Sequence, residues 1–148
     1  MNAIQFLERE HEKAKAAFGK LMAATPADRG RLWKELQPEL KAHEEIEEAC
    51  LYGPLEQDGV DDAKLSGWVS DQHEEQVQEV EGLIEQTERL DPKEPSWLAT
   101  VRKIHDALAR HIQQEEGEIF PRIAKVWGRD RLEQAGTEMS DMQAGKTA

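Results

Sequence analysis

The sequence predicts an all-α protein, an antiparallel up-down-up-down four-helix bundle with a short C-terminal helical extension. Three observations carry this expectation. Apolar residues recur at alternating steps of three and four through four long segments, the spacing that lines one face of a helix. Short runs of Pro, Gly, Asp and Ser separate those segments. No stretch alternates with the period of a strand, and there is no internal repeat or low-complexity tract. Four amphipathic helices on short loops bury their stripes most economically as an up-down bundle.

The first helix is expected over about Asn2 to Ala24, with Ile4, Leu7, His11, Ala14, Phe18 and Leu21 on one stripe. Thr25-Pro26-Ala27-Asp28 reads as a cap, a Pro at the first helical position and an acid in the first turn. The second helix follows to about Tyr52, where Gly53-Pro54 should end it, and Pro38 inside the span should kink it or mark its true start. Its stripe is Leu32 or Trp33, Leu36, Leu40, His43, Glu47 and Cys50 or Leu51. After the turn at Asp58-Gly59 a third helix runs from about Asp62 to Leu90, with Val69, His73, Val77 or Gln76, Val80, Ile84 and Thr87 inward. Asp91 to Ser96 breaks the chain before a fourth helix carrying Trp97, Val101, Ile104, Leu108, His111, Glu115 and Ile119. Phe120-Pro121 should close or bend it. Residues 1–125 therefore read as the bundle domain and 126–148 as a C-terminal tail, a short helix capped by Asp130 or partly disordered, with Gln143 to Ala148 frayed.

The chain has 148 residues, 19 Lys+Arg against 31 Asp+Glu, and a formal charge of −12. That balance argues against nucleic acid or an anionic membrane surface as partner. No apolar run reaches membrane length, and the N-terminal residues lead straight into charge rather than a secretory segment. A single cysteine, Cys50, makes no internal disulfide and fits a reducing compartment, so a cytoplasmic location is expected.

What the stripes contain matters more than that they exist. His11, His43, His73 and His111 fall on the inward stripes of four different helices, and Glu47 and Glu115 each follow a stripe histidine by four residues, about one turn. At about 1.5 Å per residue, His11 lies some 12 Å from the start of its helix and His43 a similar distance from the end of the next. His73 and His111 fall near the same level. A carboxylate in a bundle core is expensive without a partner, and no Lys or Arg shares these stripes. Four imidazoles and two carboxylates suit a transition metal rather than calcium or magnesium, and they are too many for one tetrahedral zinc. They suit a pair of iron or manganese ions, with room for a bridging oxo or hydroxo group and for a small ligand such as dioxygen, peroxide or nitric oxide.

The segments around His11, His43-Glu44-Glu45-Ile46-Glu47, His73-Glu74-Glu75 and His111-Ile112-Gln113-Gln114-Glu115 through Phe120-Pro121 resemble the hemerythrin-like, or HHE cation-binding, domains over about Ile4 to Pro121. The resemblance implies a four-helix bundle around a non-haem di-iron centre, with two iron ions per chain. His11, His43, His73 and His111 would be terminal ligands, and Glu47 and Glu115 would bridge. Two departures stand out. Val77 occupies the place where oxygen carriers supply a second histidine from the third helix, and His111 and Glu115 are four residues apart where those carriers space a His and an Asp by five. A water or exogenous molecule can fill the place at Val77, which turns the expectation from reversible oxygen carriage toward sensing, iron handling or peroxide chemistry.

Three functions follow: a di-iron protein that binds or turns over an oxygen-derived ligand, a non-enzymatic iron or oxygen sensor acting through a protein partner, and a metal-free helical interaction module. No separate base, nucleophile or organic-cofactor motif accompanies the six residues. Of the remaining candidates, His105 reads as a surface residue, Cys50 as a small core hydrophobe, and Tyr52 as a boundary-packing residue within possible reach of the site. Glu44, Glu45, Glu48, Glu74 and Glu116 read as solvated charges, one of which could orient an imidazole.

Overall fold

The computed structural model describes residues 1–147, with side chains through residue 145. Among the described residues it is helical without a strand, built on four long rods. Helix α1 spans Ala3–Ala23, opened by a reciprocal cap in which Asn2 and Gln5 each bond the other's backbone N–H. Helix α2 begins at Pro26, runs through Pro38 to Glu47, passes a π-helical turn at Glu48–Tyr52 and continues as Gly53–Asp58. The expected stop at Gly53-Pro54 does not occur, because a proline in the first turn of a helical segment lacks only an N–H that the turn can spare.

Helix α3 is Ala63–Gly67, a π turn at Trp68–Gln72, and His73–Glu88. Helix α4 is Pro95–Gln114, followed by a third π turn at Glu115–Ile119. Phe120–Thr147 then forms helix α5, interrupted where Gly128 takes φ 77° and ψ 177°. Phe120-Pro121 thus does not close the rod; Gly128, in a conformation costly for any residue with a Cβ, makes the break. The span after Gly128, expected as a weak extension, carries Leu132, Ala135 and Met139 into the core beside Ala3, Phe6 and Leu7. Gln143 is held to Glu10 by a 3.1 Å hydrogen bond, and Ala148 lies outside the described residues.

Two apolar clusters fill the interior. One gathers Phe6, Leu7, Ile46, Leu51, Leu55, Trp68 and Ile123. The other gathers Phe18, Leu21, Trp33, Leu36, Trp97, Val101 and Ile104. The six stripe histidines and glutamates lie at the level between the two clusters. None of the described helices is long and apolar enough to cross a membrane.

The docking of α5 on the start of α1 depends on Gly136, where a Cβ would overlap the Met1 carbonyl oxygen and stand 2.6 Å from the Asn2 carbonyl carbon. Gly136→Val should therefore lower stability by about 2 kcal/mol, a fall in Tm of roughly 4–8 °C for a chain of this size. Thermal melts of the two proteins followed by circular dichroism would measure it.

Candidate metal centre

All six residues singled out in the sequence meet in one chamber. Glu47 and Glu115 are fully buried, and His11, His73 and His111 nearly so. His43 is partly open, its side chain 21% exposed. Glu47 turns Oε2 toward His43 Nε2 at 2.9 Å and Oε1 toward His73 Nε2 at 2.9 Å, with His111 Nε2 at 3.9 Å. Glu115 Oε1 faces His11 Nε2 at 3.3 Å and His111 Nε2 at 3.2 Å. Each carboxylate thus stands between imidazoles from different helices.

The outer edges of the rings are held in turn. His11 Nδ1 meets Glu116 Oε2 at 2.7 Å, which leaves Nε2 to point inward. His111 Nδ1–H donates to Gln76 Oε1 at 2.7 Å, and the Gln76 amide donates to Gln114 at 2.6 Å. A bonded outer nitrogen fixes the tautomer and makes the inner nitrogen the better electron-pair donor. Glu116 therefore performs the orienting role that one flanking glutamate was expected to take. Gln76 performs the same role from the position before Val77.

The π turns add three residues that helical periodicity misplaces. Tyr52, fully buried, donates to Glu115 Oε2 at 2.6 Å and lies 4.4 Å from the His73 ring. The expected boundary-packing role of Tyr52 is thus replaced by a direct bond to the site. Trp68 packs 5.8 Å from His73 and 5.5 Å from His111, and Phe120 stacks on His11 at 6.0 Å with the rings 8° from parallel. Each aromatic residue is five positions from an acid or imidazole of the site: Glu47 and Tyr52, Trp68 and His73, Glu115 and Phe120. In an α-helix that spacing leaves two side chains about 140° apart. A turn closed by an i to i+5 bond, such as Phe120 N–H to Glu115 O, turns both inward.

Glu44, expected as a solvated charge, lies 3.6 Å from His73 Nε2; burial and the neighbouring Glu47 push its carboxyl up to about 7. His105 is part-exposed and sets its ring edge against Phe18 at 5.5 Å. Cys50 is a buried free thiol, raised by burial and by Glu138. Trp33, Trp68 and Trp97 are core residues, while the Arg131 guanidinium lies over Trp127.

Electrostatically the chamber is a network of charges that hold one another. Burial alone would depress all four imidazoles, yet the carboxylates around them outweigh it: Glu115 and Glu116 raise His11, Glu47 raises His43 and His73, and Glu115 with Glu47 lifts His111 well above its ordinary value. Burial would lift Glu47, but Glu115 and the three imidazoles around it hold it well below the usual carboxylate range.

Donor atoms of these residues fall into two groups that each fit a cation, His11 with His43 and Glu47, and Glu47 with His73, His111 and Glu115, Glu47 being common to both. Among the described residues, His11 Nε2, Glu47 Oε2 and Glu115 Oε1 are buried and approach imidazoles or carboxylates at 2.9–3.3 Å without a hydrogen bond of good angle. Those are donor atoms a metal ion would use, so the residues present fit such an ion.

The fold and chamber define a helical bundle built to bind a cation among histidines and glutamates. The family model described as the hemerythrin HHE cation-binding domain matches residues 2–123, and the chain belongs to that family. A solved structure of a hemerythrin HHE cation-binding domain-containing protein from Mycobacterium kansasii shares its fold, with a TM-score of 0.82 over 99% of this chain and 88% of that one at 24% identity. A protein of Nostoc sp. described as a DNA nickase is 27% identical over 139 residues, 93% of this chain. The chain spans only 38% of that relative's length.

Tyr52 is the only tyrosine, so tyrosinate absorption reports on it alone. Burial, then Glu115 and Glu47, raise its phenol well above 10. A group raised on folding contributes stability that is whole below its unfolded value and is lost as pH climbs toward the folded one. In the metal-free protein the tyrosinate band should therefore emerge well above pH 10, together with loss of helical circular dichroism rather than before it.

Proposed function

We propose that this chain holds two iron ions in the chamber and binds or turns over a small oxygen-derived molecule there, dioxygen, peroxide or nitric oxide. The observation that carries the reading is the convergence of four imidazoles on two fully buried carboxylates, with donor atoms grouped closely enough to share a cation. Carboxylates buried among apolar neighbours are costly unless opposite charge is close by, and shared cations would supply it. His11, His43 and Glu47 would hold one ion, and His73, His111 and Glu115 with Glu47 the other. Bound iron supplies electron transfer and Lewis acidity toward an oxygen atom. Imidazole and carboxylate accept manganese as well, and the family resemblance favours iron.

The chain's own residues shape what happens around the ions. Glu116 and Gln76 keep two imidazoles aimed inward. Tyr52 occupies Glu115 Oε2, which leaves Oε1 as the oxygen offered to a metal. Val77 offers no donor, so a coordination place on that flank is left to a small molecule. Short connections at residues 24–25, 59–62 and 89–94 support an up-down-up-down order of the rods. The unpaired Cys50 supports a reducing, cytoplasmic setting. The net charge of −12 speaks against nucleic acid as partner; the activity named for the Nostoc relative belongs to a protein more than twice as long.

Metal analysis after anaerobic iron loading should return close to two irons per chain, with a near-ultraviolet charge-transfer band, and a value near zero would end this reading. His111→Ala should lose at least one iron per chain and weaken the band. Peroxide added to the loaded protein should release oxygen gas, and His111→Ala should lower the rate at least tenfold. A loaded protein inert to peroxide, with a Tm that falls about 10 °C on chelation, would instead favour a sensor acting through a protein partner.

A further inference from the structure

The four rods do not close on one another over their middle. Leu40 on α2 and Val77, Val80 and Ile84 on α3 occupy stripe positions, yet all four are only half-buried. They wall a cleft of about 660 Å³ that is closed behind by Phe18, Leu36 and Leu108. Its inner end reaches His11, His43 and His111, and it follows α3 from Gln76 to Glu88, about 18 Å along the axis. A water molecule takes about 30 Å³ of liquid, so the cleft is far larger than dioxygen or peroxide needs and matches the size of an organic ligand site.

The chemistry of the lining selects the occupant. Apolar side chains left half-wet favour an apolar body, which removes about 25 cal/mol per Å² of such surface from water. Charges around the opening are mainly acidic: Glu10, Glu39, Glu45, Glu81 and Glu88 against Lys13, Lys15 and Lys41. Lys13 and Lys15 already pair with Glu10 and Glu12. An anionic headgroup would be repelled on the way in, whereas an uncharged one is not.

We propose that this cleft binds an uncharged molecule with an extended apolar body and one oxygen-bearing end, in the class of medium-chain alcohols and alkyl hydroperoxides. The oxygen end faces His43 and His111, and the body lies along Leu40, Val80 and Ile84. That seating of the oxygen rests on the metal reading above, while binding of the body belongs to the cleft and needs no metal.

The test uses the full metal-free chain with the neutral dye Nile red, displaced by decanol or by decanoate. Saturable dye binding is expected, with decanol displacing it and decanoate needing at least tenfold more at low salt, a gap that narrows as salt rises. Val80→Trp and Leu40→Trp each fill the cleft and should weaken dye binding at least tenfold, with helical circular dichroism retained. Val126→Trp, at an exposed site away from the cleft, should bind as the parent does. Absence of saturable binding to the parent, decanoate displacing as well as decanol, or full dye affinity in either folded cleft variant would overturn the proposal. Iron content of the same preparations after loading is scored apart: a chain that takes two irons but ignores decanol loses the cleft ligand and keeps the metal centre, and the converse result separates the two the other way.

Discussion

Two carboxyl groups buried away from water set the terms for the rest of this molecule. Glu47 and Glu115 are wholly buried, and a carboxylate in so poor a dielectric persists only where opposite charge or strong donors surround it. The compensation comes from all four rods at once, through His11, His43, His73 and His111. That requirement fixes the rods at a common level. The apolar clusters above and below surround Glu47 and Glu115 with side chains that hold no water, which strengthens the attraction they enclose.

The second organising device is the π turn, used beside site residues in α2, in α3 and between α4 and α5. Each pairs a site residue with an aromatic wall residue five positions away, Tyr52 and Trp68 meeting each other and His73 while Phe120 backs His11. Tyr52 does more than wall. By donating to one oxygen of Glu115 it makes the two glutamates inequivalent, since Glu47 presents both oxygens to imidazoles and Glu115 presents one. The symmetry suggested by two His-x-x-x-Glu pairs is therefore broken by a residue outside either pair.

The six convergent residues were legible in the sequence because His11, His43, Glu47 and His111 lie on α stripes, while His73 and Glu115 sit at the edge of a π turn before the phase is lost, and a polar residue on an apolar stripe is conspicuous. Tyr52, Trp68 and Phe120 were not, because a ruler of 3.6 residues per turn loses its phase across a π turn. Gln76 and Glu116 escaped for another reason: a carboxamide or carboxylate on the flank of a stripe has the same pattern whether it meets water or an imidazole edge. The last helix was underread because its apolar residues are few, and its docking turns on a glycine whose missing Cβ carries no pattern. The cleft was invisible in principle. Leu40, Val77, Val80 and Ile84 show which way they face, but not how near the opposite wall comes.

A π turn carries one residue more than the α turn it replaces, and this gives the site an unusual mode of variation. Loss of a single residue from 48–51 would close an α turn in its place, leaving Tyr52 four positions after Glu47, about 40° from it around the axis and still facing the chamber. The same holds, wall by wall, for Trp68 and Phe120. Insertions and deletions of one residue, normally ruinous inside a buried helix, can here be absorbed as the exchange of a π turn for an α turn, which keeps the walls turned toward the chamber.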